Sequence, residues 1–504
     1  MRQAQLAVRT AKLDNRLRAD VLLVPVLIHD GKPDVPALRG LAPRVARRLG
    51  ELARRYHGSK QAGAMDDIVM PPGSPIGRIA LISLGETKPV KRNDVRNAAG
   101  TATDWCNKHR AGSAAVAIEA LKAAAGEDAV GVWVEGAVLG AYRFVELRTK
   151  PPENGDAGFS SLSLATNSAN TGRMSRDADR AKRLAETVNL IRNIAHEPPN
   201  VINPVTLARR VQALARRYRL RCRIFDDRQL RTMKMGAMLA VGGGSTTKPR
   251  MIVLEYPGSR PASKPIVLVG KAVTLDSGGY SLKPAANIPE MKYDKCGGMA
   301  VLGVLLAVAA LKLRRRVVGI IGAVENMISG EAYRPGDILR AANGKTIEIQ
   351  STDAEGRLVL ADCLHYAEKT FDPAVLIDIA TLTGACRIAL GEMCAAVLTE
   401  NDEVAAALIE SGERTNERLW RMPLWPEYRE PMVGTDADLK NSGGPNGGTM
   451  TAAMFLKEFV GDEMTWAHLD IAGVASILKQ TPICPIGATG FGVRLLVDYI
   501  ERKK

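Results

Sequence analysis

Four apolar runs in the second half of the chain constrain its fold more than any other feature. They are RMIVLEY (250–256), PIVLVG (265–270), RVVGIIGAV (316–324) and AVLIDIATLTG (374–384). All are rich in β-branched residues, and none alternates apolar with polar positions. Strands of this kind are buried on both faces, as in a parallel or mixed sheet covered by helices. Helical runs at 297–313 and 358–370 supply the cover, so this half is predicted to be α/β.

The first half shows a similar pattern on a smaller scale. Apolar segments expected to be strands occur at 20–28, 78–85, 113–120 and 129–142. Between them, Val45, Leu49, Leu52 and Tyr56 recur at helical spacing, with arginines on the opposite face. We therefore expect a small α/β domain here.

The chain length favours two domains, because 504 residues exceed the size of an ordinary single domain. The best boundary is the segment 151–180, which is rich in Pro, Gly, Ser and Asn. A helix is expected to follow it, near Asp177–His196. We predict an N-terminal α/β domain at 1–160, a linker helix within 161–200 and a C-terminal α/β domain with a mostly parallel or mixed central sheet at 201–504.

Charge and cysteine content bound the class of protein. The net charge of +15 is compatible with nucleic-acid binding, but the arginines are dispersed and not interleaved with aromatic residues. Solubility is the simpler explanation. The seven cysteines form no CxxC pair, which indicates reduced thiols in a cytoplasmic protein. Neither a secretory signal nor an apolar run of about 18 residues is evident, so no membrane association is expected.

Polar residues stand at or just beyond the ends of the predicted strands. Lys271 and Asp276 follow one strand, Glu325 ends the next, and Thr381 and Gly384 end a third. In open α/β sheets, ligands bind outside the carboxyl ends of the strands. We therefore expect a site at this edge.

Four carboxylates in polar islands suggest what the site binds: Asp276, Asp294, Asp353 and Glu355. Brought together they would repel one another unless cations lay between them, and oxygen ligands suit Mg, Mn and Zn. Three of the four also have a structural explanation when taken alone. Asp276 could be a turn residue, DAEG (353–356) a helix cap, and the nearby basic residues surface charges.

Three longer motifs resolve these alternatives together. VGKAVTLDSGGYSLKP (269–284), MKYDKCGG (291–298) and STDAEGRLVLAD (351–362) resemble the cytosolic, di-metal leucine aminopeptidase family. Further matches occur in the family's order at 135–144, 191–204, 325–338, 378–385, 466–473 and 487–496. The first hundred or so residues match the family only in general character.

The resemblance implies two metal sites. One would use Asp276, Asp353 with its main-chain carbonyl, and Glu355. The other would use Lys271 and Asp294 and would share Asp276 and Glu355 as bridging ligands. Two divalent ions are implied, Mn or Zn, with Mg and Co as alternatives.

The resemblance also implies catalytic and substrate-binding positions. A hydroxide bridging the metals would attack the scissile carbonyl, Lys283 would stabilise the oxyanion, and Arg357 would hold a bicarbonate acting as general base. Met291, Thr381 and Gly384 match positions that line the pocket for the first side chain. The expected activity is release of N-terminal Leu and other apolar residues from peptides by a homohexamer, with the N-terminal domain making oligomer contacts.

Two rival functions stay open at this point. The basic N-terminal half could bind DNA in a regulatory role. Alternatively, the chain could be an inactive scaffold, although all five metal-ligand positions and both catalytic positions are intact. Departures from the usual motifs, at Leu275, Lys295, Ile328 and Ser351, replace none of these positions.

Overall fold

A computed structural model describes residues 5–56, 59–86, 89–150, 158–259 and 264–503. The chain divides into two compact units. The N-terminal unit comprises Met1–Asn189 with Lys479–Ile486, and the C-terminal unit comprises Leu190–Leu478 with Gly487–Lys504. The first seven residues of the predicted boundary segment, 151–157, lie outside the described residues.

The N-terminal unit is built on a seven-stranded sheet of order β1-β7-β6-β2-β5-β4, with β3 paired to β2. The pairs β1-β7, β7-β6, β6-β2 and β2-β5 are parallel. Strand β3 pairs antiparallel with β2, and β4 pairs antiparallel with β5. The strands are β1 (Ala7–Lys12), β2 (Ala19–His29), β3 (Lys32–Asp34), β4 (Met65–Val69), β5 (Ile76–Ser83), β6 (Ser113–Ala117) and β7 (Ser161–Thr166).

Five helices accompany or follow this sheet in the chain. They are α1 (Pro43–Arg54), α2 (Arg92–Lys108), α3 (Ile118–Ala125), α4 (Ala129–Gly140) and α5 (Gly172–His196). Helix α1 confirms the predicted pattern, because Val45, Leu49 and Leu52 are buried while Arg47 and Arg54 are exposed.

Helix α4 corrects one expectation from the sequence. The apolar segment 129–142 was expected to be a strand, but Ala129–Gly140 is a helix that is buried on nearly every side. A glycine permits α4 to pack closely against α2, because a Cβ at Gly136 would lie 2.2 Å from the carbonyl oxygen of Arg96. The segment is therefore apolar all round because it packs closely within the unit, as buried helices do.

The C-terminal unit contains an eight-stranded mixed sheet of order β16-β15-β18-β14-β10-β11-β9-β8. Its four central strands run parallel, and antiparallel partners flank them. The strands of this sheet are β8 (Arg221–Phe225), β9 (Arg250–Tyr256), β10 (Ile266–Asp276), β11 (Val317–Asn326), β14 (Val375–Ala380), β15 (Ala395–Leu398), β16 (Leu419–Arg421) and β18 (Trp466–Asp470). The predicted α/β class with two units and a mixed central sheet is confirmed.

Smaller sheets and helices complete this unit. The short strands are β12 (Ile338–Arg340), β13 (Thr346–Glu348), β17 (Leu439–Lys440), β19 (Ser476–Ile477) and β20 (Gly487–Ala488). The helices are α6 (Pro204–Tyr218), α7 (Asp227–Thr232), α8 (Gly236–Val241), α9 (Cys296–Leu311), α10 (Glu355–Phe371), α11 (Gly384–Leu390), α12 (Asp402–Thr415), α13 (Gly448–Lys457) and α14 (Val493–Arg502). Short 3-10 helices lie at Gly242–Gly244, Ile288–Tyr293 and Pro426–Met432.

Helix α9 lies directly against the central strands. A Cβ at Gly270 of β10 would come 2.6 Å from the Cα of Gly298, so glycines on both elements permit the close approach. Among the described residues, one helical stretch, Ile288–Leu311, is long and apolar enough to cross a membrane. Its most apolar window is 83% buried inside the protein, as expected for the core helix of a globular unit.

Candidate metal centre

The central strands and the helices after them bring the predicted site residues to one edge of the sheet. Lys271 and Asp276 lie on β10, and Thr381 follows β14. Asp294 lies just before α9, and Glu355 opens α10. This edge is the carboxyl end of the parallel strands, where the sequence placed the site.

Three carboxylates meet closely enough to share an ion. Oxygen atoms of Asp276, Asp353 and Glu355 lie within 4.8 Å of one another. Asp276 and Glu355 are buried, whereas Asp353 is partly exposed. Such a group of oxygens is the donor set that hard divalent cations prefer.

Two lysines are ion-paired with the carboxylates. Lys271 Nζ lies 2.8 Å from Asp294 Oδ1 and 2.8 Å from Glu355 Oε1, and it donates to the Thr381 carbonyl at 2.9 Å. Burial alone would lower the pKa of Lys271, but the neighbouring carboxylates outweigh burial and raise it. Gly356 makes this position possible, because a Cβ there would lie 2.7 Å from Lys271 Nζ.

The second lysine, Lys283, contacts a different pair of carboxylates. Lys283 Nζ is 2.8 Å from Asp276 Oδ2 and 2.5 Å from Asp353 Oδ1. The turn between Asp276 and Lys283 passes through Gly278 and Gly279, both with positive φ. A Cβ at Gly279 would meet the Thr352 hydroxyl at 2.9 Å, so the turn requires glycine.

The carboxylates retain unused binding capacity. Asp294 Oδ2 and Glu355 Oε2 are buried and have no hydrogen-bond partner among the described residues. Burial, and then repulsion from Asp276, raise the pKa of Glu355; burial is also the main cause of the raised pKa of Asp294. Buried oxygens without hydrogen-bond donors, on carboxyl groups whose pKa is raised, are suited to bind a divalent cation.

Arg357 is a buried cation whose Nε is fully buried without a hydrogen-bond partner among the described residues. Its NH1 atom donates to the Asn441 carbonyl at 2.8 Å. Burial lowers the pKa of this guanidinium to about 10. A buried guanidinium with an unused donor is suited to hold a small anion.

The three predicted pocket residues are placed differently. The Thr381 hydroxyl donates to Asp294 Oδ1 at 2.6 Å, so this residue joins the carboxylate cluster directly. Met291 lies in the 3-10 helix before Asp294 and is half-buried. Gly384 begins α11, and a Cβ built on it meets nothing within 4 Å. The Met291 carbonyl accepts a hydrogen bond from the Asp294 backbone N–H at 3.2 Å, whereas no hydrogen bond among the described residues joins Gly384 to the cluster.

Sequence reasoning pointed to Glu325 and missed the residue after it. Glu325 accepts hydrogen bonds from Ser245 and Thr247 and does not join the cluster. Asn326 instead contacts Asp276, because these two residues pair across β10 and β11. An irregularity in the register between Val273 and Asp276 decides which of the two faces the site. The signal was therefore the strand register, which the sequence alone does not show.

A mixed sheet flanked by helices, with carboxylates and lysines at its strand ends, is the arrangement of an α/β protein with a candidate metal site. Two family models match the chain: the cytosol aminopeptidase family catalytic domain at residues 189–497 and the N-terminal domain of the same family at residues 26–151. The chain belongs to the cytosol aminopeptidase family. It is accordingly a metallo-aminopeptidase, a hydrolase that acts on peptides.

Individual relatives agree with the family models. The chain is 42% identical over 456 residues to a probable cytosol aminopeptidase of Geobacter sp. (strain M21), covering 90% of this chain and 92% of the relative. A probable cytosol aminopeptidase of Syntrophotalea carbinolica is 41% identical over 491 residues, covering 97% and 98%.

Solved structures extend the likeness to the fold. The bottromycin maturation enzyme BotP is 30% identical with a TM-score of 0.82, covering 96% of this chain and 99% of that one. A second structure of BotP, in complex with Mn, gives the same values.

Proposed function

We propose that this protein uses two bound divalent ions to remove N-terminal residues from peptides, preferably Leu and other apolar residues. One ion would be held by Asp276, Asp353 and Glu355, and the other by Lys271 and Asp294 with Asp276 and Glu355 shared. The observation that carries the proposal is the pair of buried, unpartnered oxygens on Asp294 and Glu355. When bound, the ions would supply an activated water and polarise the scissile carbonyl.

The lysines have distinct parts in this proposal. Lys271 would ligate through its neutral amine, since an ammonium has no lone pair. The carboxylates alone raise the pKa of Lys271, but bound divalent ions would neutralise them and lower that pKa. The ammonium of Lys283 would donate to the oxygen that becomes negative as the carbonyl is attacked. Its contacts with Asp276 and Asp353 place that ammonium beside the carboxylates.

Arg357 would hold a bicarbonate through its unpartnered Nε, and this anion would supply a general base at the site. Mn and Zn are the proposed ions, with Mg and Co as alternatives. The space beside Gly384, with Met291 and Thr381, would receive the first side chain of the substrate.

The remaining expectations stay proposals of the same kind. The oligomer-contact domain would be formed by residues 1–160, the linker helix would lie within 161–200, and the catalytic domain would be formed by 201–504. We propose a cytoplasmic homohexamer that takes peptide substrates.

The first experiment is hydrolysis of leucine p-nitroanilide by chelator-stripped protein, before and after reloading with Mn²⁺ or Zn²⁺. We expect activity to vanish with the chelator and to return with metal. A folded protein that stays inactive with every divalent ion would overturn the proposal.

DNA binding is a second candidate, favoured by basic residues in the N-terminal unit. Arg9, Lys12, Arg16 and Arg18 line one cavity of about 450 Å³, and Asp14 is the one acidic residue in its lining. Binding through such a surface should weaken steeply with salt. A gel shift in which duplex affinity stays weak and unchanged between low and moderate salt would exclude it.

A further inference from the structure

Asn326 lies at the end of β11 and is completely buried beside the candidate metal centre. Its Nδ2 donates to Asp276 Oδ1 at 2.8 Å and to the Thr352 carbonyl at 2.9 Å. Both partners are acceptors only, so the amide nitrogen, not the amide oxygen, must face them. One side chain therefore joins a predicted bridging ligand to the backbone just before Asp353.

The Thr352 carbonyl has a second donor. The hydroxyl of the buried Tyr333 lies 2.7 Å from the same oxygen. Asp276 Oδ1 likewise has a second donor, the backbone N–H of Gly278 at 2.9 Å. Among the described residues, Asn326 is thus the one group that donates to both acceptors, whereas Tyr333 and Gly278 each donate to only one.

We propose that Asn326 is a positioning residue of the metal centre, which fixes Asp276 and the Thr352–Asp353 backbone relative to one another. The proposal rests on the di-metal function proposed above. Asn326 fixes the rotation of the Asp276 carboxylate, and it orients the peptide group that precedes Asp353. Hydrogen bonds behind metal ligands commonly set metal affinity in this way.

The geometry makes the effect site-selective. Asp276 is shared by both proposed ions, but the Thr352–Asp353 backbone belongs only to the ion held by Asp276, Asp353 and Glu355. Removal of the Asn326 amide should therefore lower the affinity for that ion more than the affinity for the other ion. Removal of the Tyr333 hydroxyl leaves the hydrogen bonds of Asp276 intact. It should therefore lower the affinity for the same ion by less than removal of the Asn326 amide does.

The test is calorimetric titration of the chelator-stripped full chain with Mn²⁺, resolved into two binding steps. For Asn326→Ala we expect one step to weaken about 10- to 100-fold. For Tyr333→Phe we expect a smaller loss in that same step. Each acceptor keeps one donor in either variant, so both proteins should fold.

Thr274→Val is the matched control. Thr274 is buried on β10, and its hydroxyl donates at 3.2 Å to Val324 on β11, so the change removes a hydrogen bond between the same strands without touching a site residue. Its Mn²⁺ titration should match wild type. Thermal unfolding of the stripped proteins separates general destabilisation from loss of metal affinity.

The outcomes distinguish this inference from the proposed function. Wild-type protein that binds no Mn²⁺ would overturn the proposed function itself. Wild type that binds normally, with Asn326→Ala binding equally well, would overturn only the positioning role. A loss of thermal stability in Asn326→Ala with unchanged Mn²⁺ affinity would likewise reduce Asn326 to a structural residue.

Discussion

Two pairs of buried carboxylates in the C-terminal unit are satisfied in opposite ways. Asp362 and Glu417 are 0% and 2% exposed, and Asp294 and Glu355 are 6% and 1% exposed. In the first pair every oxygen has a donor. In the second pair one oxygen of each residue contacts Lys271, and the other has no partner among the described residues.

The donors of the first pair come mainly from the folded backbone. Asp362 accepts from the N–H groups of Met238 and Ala342, at 2.9 and 2.8 Å. Glu417 accepts from two backbone N–H groups and from Arg494. We call Asp362 and Glu417 the framework carboxylates, and Asp294 and Glu355 the site carboxylates. Equal burial thus serves stability in one pair and leaves binding capacity for an ion in the other.

The largest effect that could break this comparison is expected for Glu355→Ala. The change removes a proposed bridging ligand, so hydrolysis of leucine p-nitroanilide should fall by about 1,000-fold or more. The unfolding temperature of the metal-free protein should not fall, because burial and repulsion from Asp276 already disfavour the ionised Glu355. Turnover near the wild-type value would show that the ligand set is wrong.

The opposite result is expected for the framework carboxylate in Asp362→Ala. Two buried N–H groups would lose their acceptor, which should lower the free energy of unfolding by about 2 to 4 kcal/mol. Metal affinity and turnover of the folded protein should be retained, since Asp362 contacts no site residue in the described structure. Urea unfolding and Mn²⁺ titration measure the two quantities. Intact stability combined with lost metal binding would reverse the assignment.

The comparison extends to buried cations through Arg357. Arg494 Nε is bound to Glu417, whereas Arg357 Nε has no partner among the described residues. If Arg357 holds bicarbonate, Arg357→Ala should lower turnover about 10- to 100-fold and remove any response to added bicarbonate. Arg357→Lys is the conservative control and should retain part of that response. Equal bicarbonate stimulation of wild type and Arg357→Ala would contradict the role.

Much of the fold was predictable because burial leaves a simple pattern. Strands β9, β10, β11 and β14 were found from apolar runs without alternation, and α1 from its spacing of Val45, Leu49 and Leu52. The pattern failed at α4, because a helix buried on all sides carries no periodic signal. Length could have decided the matter, since a segment of fourteen residues is longer than most strands.

Some residues of the candidate site were likewise predictable from the sequence, and others were not. Its carboxylates were recognisable as polar islands within motifs at the ends of strands. Asn326 was not, because its orientation depends on the irregular register between β10 and β11. Tyr333 contributes through a main-chain carbonyl, and a contact of that kind has no counterpart in the spacing of residues along the chain.

The smallest expected effect is a pH dependence of stability that arises from the framework carboxylate Asp362. Burial raises the pKa of Asp362 to about 7, although its backbone hydrogen bonds oppose the shift. The folded state therefore keeps this proton between about pH 4 and pH 7, where the unfolded state has released it. The unfolded state binds fewer protons over that interval, so the contribution of Asp362 to stability falls as pH rises.

Asp362→Asn isolates this contribution because an amide does not titrate. Relative to wild type, the variant should gain stability as pH rises from about 4 to about 7, by an amount on the order of 2 kcal/mol. Urea unfolding of both metal-free proteins across that range measures the difference, in which titration of the site carboxylates cancels. A constant difference would mean that Asp362 is ionised throughout.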